Sequence, residues 1–381
     1  MSHWPQEKTP TVSAASDTTV FDVFDTSMEI APETLAKEIA GYESSLSAIS
    51  PRVAQNVVVE SLATGVVPVA TSVLTSAPGK TCAPEDAEVS EIPSLAPPPS
   101  LAAGAVADIW QVDTSAASLV NPDASQTARI VVHRWRGSDW ERTSLEDFYG
   151  SQAPGQPVLF FIHGNRVTPD TALMEALSVL RRVPALPQVR LVVYHWNADR
   201  VSRRPRPEFA TKAVYADYQG FYLSYMLQNM QVESPVGLVG HSFGCRTVLS
   251  SLHLLGGGMY AGRPLDSATG KAPSQIRAFL VAAATDRTDL IPGGRFQRAL
   301  DPAQLIAMTQ NRGDTALKLY PEIGLTGRLP EAMGLVGPAT QGLDSESIRK
   351  LLMVNVQLPS HAVRRYLEEP MVQQTLSLRL F

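Results

Sequence analysis

The apolar positions beyond residue 107 follow two patterns that replace each other along the chain. Short continuous apolar runs, such as LFFI and LVVY, are typical of strands buried on both faces of a parallel sheet. Longer stretches carry apolar residues at spacings of three and four, which is typical of amphipathic helices. This alternation predicts an α/β fold with a mainly parallel central sheet and helices on both faces.

The strand pattern occurs in several segments, and helices are predicted between most of them. The clearest helix start is Thr168-Pro169, where threonine is a good cap and proline suits the first helical position. A long helix is predicted in PEFATKAVYADYQGFYLSYMLQNM. The predicted strands are, in chain order, ADIWQVD, ARIVVHRWR, PVLFFIHGN, VRLVVYHW, VGLVG, QIRAFLVAAAT, QLIAMTQ and LLMVNVQ.

Between the VGLVG strand and the helix that follows it lies GHSFG, residues 240–244, which fits the pattern G-x-S-x-G. In a nucleophile elbow the serine takes a strained conformation, and side chains two residues before and after it would collide with neighbouring elements. Gly240 and Gly244 remove that collision and make Ser242 the candidate nucleophile. The alternative is an ordinary strand-to-helix turn in which Ser242 caps the helix.

A serine on such a turn is followed in the chain by its acid and then by its histidine, because both come from loops after later strands. Two of the seven histidines follow Ser242. His253 lies about three turns along the elbow helix, which carries it away from the serine at ~1.5 Å per residue. His361 follows the last predicted strand and is therefore the predicted base.

The acid is less tightly constrained by the sequence. It is expected after the strand that comes two after the elbow strand, which selects Asp314 in QNRGDTALKLY. Asp286 is the alternative acid, and Asp344 is a third candidate. A purely structural role is also open for each of the first two, since Asp314 precedes a helical pattern and Asp286 can form a turn with Asp289.

Two backbone N–H groups are predicted to form an oxyanion hole, which would stabilise the charge that develops on the substrate carbonyl oxygen. One belongs to Phe243, at the start of the elbow helix, where the helix dipole favours an anion. The other comes from Gly164 or Asn165 in the loop HGNRVTPD. His163 and His241 are interpreted as hydrogen-bonding supports of these two loops.

The composition of the first part of the chain is different. Residues 77–103 are rich in proline, serine and alanine, so residues 1–104 are predicted to be a low-complexity, largely disordered segment ending in this linker. Residues 105–381 are predicted to form the folded domain. The apolar run at residues 56–74 is interrupted by Glu60, Gly65 and Pro68, so no transmembrane segment is expected. A protein partner that binds through residues 1–104 remains open.

Charge and cysteine content narrow the choice of protein class. A net charge of −5 argues against nucleic-acid binding. Cys82 and Cys245 give neither a disulfide framework nor the spacing of a metal site. The start MSHWPQEKTP has no cationic region followed by an apolar core, so no secretory signal is expected. These features predict a cytoplasmic protein that needs no metal or organic cofactor.

One basic segment departs from this acidic balance. The sequence DRVSRRPRPEF contains Arg200, Arg203, Arg204 and Arg206. Such a run is typical of a solvated loop, and it is also suited to binding an anionic group of a substrate.

The motifs resemble those of a bacterial family of α/β-hydrolase-fold proteins of unknown function. The similar segments occur in the family's order and cover roughly residues 108–366. The resemblance implies Ser242 as nucleophile, Asp314 as acid and His361 as base, and a structural or pocket role for Asp286. Arg166 and the loose ending HAVRRY depart from the family pattern. The segments are LFFIHGNRV, VVYHWNAD, YADYQGFYLSYML, VGLVGHSFGCRTVL, FLVAAATD, TQNRGDTALKLY and LPSHAVRRYL.

Together these features predict a serine hydrolase that cleaves a small-molecule carboxylic ester or thioester through an acyl-enzyme. Two alternatives stay open. An acyltransferase would use the same nucleophile with another acceptor, because the difference lies in what the pocket excludes. A non-catalytic binding module would keep the fold and bind a partner through the N-terminal segment.

Overall fold

The computed structural model describes residues 108–117, 122, 124–183, 189–265, 271–323 and 331–381. The predicted segment 1–104, its linker at 77–103, the apolar run at 56–74 and Cys82 all lie outside these residues. The boundary placed between residues 104 and 105 lies outside them as well, so this division of the chain stays a prediction.

A nine-stranded sheet forms the centre of the described structure, with the strand order β11-β10-β9-β6-β4-β5-β1-β2-β3. Seven of its strands are parallel, and β2 and β3 form an antiparallel hairpin at one edge. Strands β7 and β8 pair separately. The strands are β1 (Asp108–Asp113), β2 (Val131–Trp135), β3 (Trp140–Thr143), β4 (Val158–Ile162), β5 (Arg190–His195), β6 (Val236–His241), β7 (Met259–Tyr260), β8 (Arg263–Pro264), β9 (Ile276–Val281), β10 (Ala303–Asn311) and β11 (Leu351–Val356).

Helices cover both faces of this sheet. The helices are α1 (Leu145–Gly150), α2 (Pro169–Leu180), α3 (Pro205–Gln228), α4 (Gly244–Leu255), α5 (Thr315–Lys318), α6 (Met333–Val336), α7 (Ser345–Arg349), α8 (Val363–Glu368) and α9 (Pro370–Arg379). The chain passes from β4 through α2 to β5, and then back through α3 to β6 on the far side of β4. Right-handed crossovers in opposite directions place α2 and α3 on opposite faces. Helix α4 packs against α3, and α8 packs against α2.

The core lies between the central strands and these helices. Every residue of β4, β5 and β6 is buried, which explains why their sequences are continuous apolar runs and do not alternate with polar residues. No helix in the described ranges is both long and apolar enough to cross a membrane.

This architecture confirms the predicted α/β-hydrolase fold. Each predicted strand is present, and α2 begins as expected, with the hydroxyl of Thr168 accepting the N–H of Thr171 at 3.3 Å. Strand β3 was not predicted, because its short polar sequence WERT lies at the sheet edge and has no buried face to pattern it. The carboxyl ends of the parallel strands meet at one edge of the sheet, and the candidate site residues follow β4, β6, β10 and β11 there.

Candidate active site

The turn between β6 and α4 has the geometry of a nucleophile elbow. Ser242 adopts a left-handed backbone conformation with φ of 53°, which is uncommon for a residue other than glycine. Its N–H donates to the carbonyl oxygen of Val281 at 3.0 Å, and its own carbonyl accepts the N–H of Cys245 at 3.1 Å. The helix cap position is held by Phe243, and no side chain caps the helix. Ser242 therefore does not have the capping role that was the alternative to an elbow.

The two elbow glycines lie where a side chain has no room. A Cβ atom on Gly240 would lie 2.9 Å from the backbone of Cys245, and one on Gly244 would lie 2.2 Å from the carbonyl oxygen of Ile162. Real Cβ atoms do not approach backbone atoms so closely, so β4 and α4 touch directly at this turn. The predicted steric reason for both glycines agrees with this packing.

Gly244→Ala is expected to destabilise the fold by about 1–3 kcal/mol, because the added methyl group forces α4 away from β4. The free energy of unfolding, measured by urea titration, checks this. Gly150→Ala is the control, since nothing lies within 4 Å of a Cβ at Gly150. Equal stability of the two variants would show that the elbow accommodates a side chain.

The structure brings Ser242, His361 and Asp314 into one hydrogen-bonded row. His361 Nε2 lies 2.9 Å from the Ser242 hydroxyl oxygen, and its Nδ1 lies 2.8 Å from Asp314 Oδ2. An ionised carboxylate only accepts hydrogen bonds, so the imidazole proton belongs on Nδ1, and Nε2 accepts from the serine hydroxyl. Ser242 and Asp314 are buried, whereas the His361 side chain remains 21% exposed.

The sequence left two roles open for Asp314, catalytic acid and helix cap, and each role corresponds to a different carboxylate oxygen. Oδ1 caps α5 by accepting the N–H of Leu317 at 2.9 Å, while Oδ2 faces His361. Burial disfavours the charged carboxylate, but hydrogen bonds from His361, Tyr366 and Leu317 outweigh that effect and lower the pKa of Asp314. The carboxylate is therefore held ionised beside the imidazole.

Two residues around this acid were not found from the sequence. The Tyr366 hydroxyl donates to Asp314 Oδ2 at 2.5 Å and accepts from Asn311 Nδ2 at 2.9 Å. Asn311 also accepts the N–H groups of Gly313 and Leu358 at 3.0 Å, so it joins the loop after β10 to the loop after β11. These contacts fix the positions of acid and base relative to each other.

The two histidines predicted to be supports are both buried and hydrogen-bonded. His241 Nε2 donates to the backbone carbonyl of His361 at 2.9 Å, and burial lowers the pKa of His241 to about 3, so this ring is neutral. His163 Nδ1 donates to the carbonyl of Gly164 at 2.8 Å, and its Nε2 lies 2.8 Å from His195 Nδ1. His241 thus braces the base loop, and His163 braces the turn after β4.

The predicted oxyanion residues surround the serine. Gly164 is close enough that a Cβ on it would lie 3.1 Å from the Cβ of Ser242. Within the described part of the chain, no hydrogen-bond acceptor is assigned to the N–H groups of Phe243, Gly164 or Asn165. Both atoms of the Asn165 side-chain amide are also buried without a partner among those residues. Buried N–H groups are normally paired, so these donors are suited to an acceptor from outside the chain.

The other acid and base candidates from the sequence make contacts elsewhere in the fold. Asp286 accepts from Tyr320 at 2.7 Å, and its N–H donates to Asp289, as a turn at the strand end predicts. Asp344 caps α7. His253 lies in α4 and accepts the backbone N–H of Arg298 at 3.1 Å. Asp314 is therefore the predicted acid that contacts the histidine.

A buried charged cluster behind the elbow helix was also missed by the sequence analysis. Arg246 donates from Nε and Nη2 to the two oxygens of Asp217 in α3, at 2.8 and 2.7 Å. Its Nη1 donates to the hydroxyl of Tyr320, which contacts Asp286. Arg295 donates to Asp217 and Asp286 at 3.2 and 3.4 Å. These five residues, called here the Arg246 cluster, join α3, α4 and the loop after β9.

Comparison of the sequence with family models and with curated proteins gives no match. Among solved structures, Zea mays acyl-protein thioesterase 2 is 14% identical, with 55% of this chain and 87% of that chain covered and a TM-score of 0.33. A truncated carbohydrate esterase from gut microbiota is 10% identical, with 69% and 93% covered and a TM-score of 0.31. Esterase B from Lactobacillus rhamnosis is 12% identical, with 70% and 82% covered and a TM-score of 0.29. The strand order and the elbow, and not these distant similarities, define the fold.

Proposed function

We propose that this protein is a serine hydrolase that cleaves a carboxylic ester or thioester through an acyl-enzyme. The main support for this proposal is the hydrogen-bonded chain of Ser242, His361 and Asp314. Ser242 Oγ lies 2.9 Å from His361 Nε2, and His361 Nδ1 lies 2.8 Å from Asp314 Oδ2. Ser242 lies at a turn and has the left-handed backbone conformation that is typical of the serine in a nucleophile elbow.

In the proposed reaction, Ser242 Oγ attacks the acyl carbon while its proton passes to His361 Nε2. The imidazolium that forms is stabilised by the Asp314 carboxylate, which also holds the correct tautomer. His361 Nε2 then gives the proton to the departing alcohol or thiol, and the acyl group stays on Oγ. In the second half, water loses a proton to His361 and attacks the acyl carbon, which releases the acid and restores the serine.

The negative charge on the carbonyl oxygen is assigned to the N–H groups of Phe243 and Asn165. Loss of one such donor typically slows acyl transfer by about 10²–10³-fold, so these two groups account for a large part of the proposed rate acceleration. The braced geometry behind them supports this assignment, because His163 fixes the turn that carries Asn165. An acyltransferase would use the same first half-reaction and differ only in the acceptor.

Treatment of the full chain with a fluorophosphonate is expected to give one covalent adduct, on Ser242, because an activated serine hydroxyl displaces fluoride from phosphorus. Peptide mapping by mass spectrometry locates the adduct, and heat-unfolded protein is the unlabelled control. Absence of an adduct on the folded chain, or an adduct on another residue, would overturn the proposal. Hydrolysis of p-nitrophenyl butyrate with and without added alcohols then separates a hydrolase from an acyltransferase by its products.

A further inference from the structure

The loop between β5 and α3 carries a concentration of positive charge. Arg200, Arg203 and Arg204 lie within it, against the single acidic residue Asp199, in a chain whose net charge is −5. Arg203 and Arg204 are exposed, and neither has an ion pair among the described residues. Exposed guanidinium groups that lack a carboxylate partner are suited to bidentate contact with an anion.

This loop is held in place by buried contacts. Glu208, buried in the first turn of α3, accepts the N–H groups of Val201 and Ser202 at 2.8 and 2.6 Å. Lys212 is buried as well, and its Nζ donates to the carbonyl oxygen of Asn197 at 3.0 Å. The guanidinium of Arg200 braces the loop further by donating to two of its carbonyl oxygens. Arg203 and Arg204 are therefore exposed side chains on a braced backbone.

The same loop adjoins the proposed oxyanion hole. Strand β5 is separated from the elbow strand only by β4, and all three end at the same sheet edge. The N–H of Arg166, next to Asn165, donates to the carbonyl of Ala198 at 3.1 Å. Phe209, five residues after Arg204, packs with its ring centroid 6.3 Å from that of Phe243. The Arg166 guanidinium lies 5.8 Å from the centroid of the Phe209 ring.

We propose that Arg203 and Arg204 bind an anionic group, a carboxylate or a phosphate, carried by the substrate at a distance from its reacting carbonyl. The substrate class is then a negatively charged ester or thioester, whose apolar portion contacts the partly buried ring of Phe209. This inference rests on the proposed function for its reaction, whereas the anion site itself is a property of the loop. Arg166 follows Asn165 in the chain, and its Nε lies 3.8 Å from Oε1 of Glu208, the residue that anchors the arginine-rich loop.

The test compares two esters of equal acyl chain length, p-nitrophenyl hexanoate, which ends in a methyl group, and p-nitrophenyl hydrogen adipate, which ends in a carboxylate. Arg203→Gln/Arg204→Gln in the full chain is expected to lower kcat/KM for the adipate ester by about tenfold at low ionic strength. The hexanoate ester should be unaffected by the substitutions. Added salt should remove the wild-type preference for adipate, because the Debye length falls to about 10 Å at 0.1 M.

Arg136→Gln/Arg181→Gln is the matched control. It removes two exposed arginines near the amino ends of the parallel strands, since Arg136 follows β2, which runs antiparallel to β1, and Arg181 is the C-cap residue of α2. This variant is expected to treat both esters as the wild type does. Equal losses in the two double variants would mean that only the net charge of the chain matters, which overturns the proposal. No loss in either variant would identify the arginine loop as a solvated loop.

Two further experiments identify the bound anion and measure its binding. Butyryl thioesters of pantetheine and phosphopantetheine place the charge, now a phosphate, on the leaving group, so the preferred pair identifies the anion together with the side of the scissile bond that carries it. Calorimetric titration with adipate measures the site without turnover, and binding is expected to weaken in Arg203→Gln/Arg204→Gln only. Adipate binding without hydrolysis of any ester would refute the proposed function and leave the anion site standing. Hydrolysis of hexanoate with no adipate preference would do the reverse.

Discussion

Replacement of Ser242 by alanine is expected to lower kcat for p-nitrophenyl butyrate by about 10⁵-fold or more. The reason is that the attacking oxygen, 2.9 Å from His361 Nε2, is removed and no other hydroxyl in the contact row replaces it. KM should change little, because the substitution leaves the binding surface intact. Steady-state kinetics on protein whose unfolding midpoint matches the wild type provides the measurement.

Further variants decide whether the three residues act as a unit. His361→Ala and the double variant Ser242→Ala/His361→Ala are expected to have the same residual kcat as Ser242→Ala, since removing a second member costs nothing once the first is gone. Ser274→Ala is the control, because that exposed hydroxyl donates to the carbonyl of Val232 and lies outside the proposed site. Losses that multiply in the double variant would show that Ser242 and His361 act independently, which excludes the proposed mechanism.

The elbow and the histidine could be predicted from the sequence because their signals are local or follow chain order. The glycines of GHSFG are required because a side chain at either position would collide with the backbone of α4 or β4. His361 was selected because one histidine remained in the right position along the chain. Asp314 required a count of strands, and this count leads to the carboxylate that contacts His361, because β9 and β10 lie side by side next to the elbow strand.

The residues that brace this row could not be predicted in the same way. Tyr366 and Asn311 meet only because β10 and β11 are neighbours and α8 returns over their ends. A tyrosine in an amphipathic helix has the same sequence pattern whether its hydroxyl meets an acid or water. His241 precedes the nucleophile, but its contact with the carbonyl of His361 depends on a loop 120 residues away.

Helix α3 shows the same limit on a larger scale. Its polar residues face protein on several sides, including Glu208, Lys212, Asp217 and Gln219, all of which are buried. A helix that buries polar side chains against distant segments lacks a simple apolar stripe. Its sequence therefore predicts a helix but does not predict which residues pack against it. The Arg246 cluster was missed for this reason, since Arg246 and Asp217 are 29 residues apart and belong to different helices.

Arg246→Met is expected to destabilise the fold by about 3–5 kcal/mol near pH 8, because it leaves buried carboxylates without their main counter-charge. Arg246 is fully buried and Asp217 nearly so, and the two make a bidentate pair. Urea unfolding followed by tryptophan fluorescence measures the loss. Arg298→Met is the control, since its exposed pair with Asp301 should contribute no more than about 1 kcal/mol.

The defect is expected to shrink as the pH falls. Burial raises the pKa of Asp217, and the Arg246 guanidinium partly offsets that effect. Without the guanidinium, the folded chain should retain a proton on Asp217 that the unfolded chain has lost, so its stability falls as the pH rises through this range. Relative to wild type, Arg246→Met should therefore be less destabilised near pH 5.5 than near pH 8, and a defect independent of pH would contradict the role of charge.

A double variant separates the unpaired charge from lost packing. Arg246→Met/Asp217→Leu is expected to recover part of the stability near pH 8, because the buried carboxylate that pairs directly with the Arg246 guanidinium is then removed together with it. Arg295 and Asp286 keep each other as partners in that variant. If the double variant is instead less stable than Arg246→Met, Asp217 must stabilise the fold through Tyr260 and Arg295, which also donate to it. In that case Asp217, and not the arginine, would be the centre of the cluster that holds the elbow helix against α3.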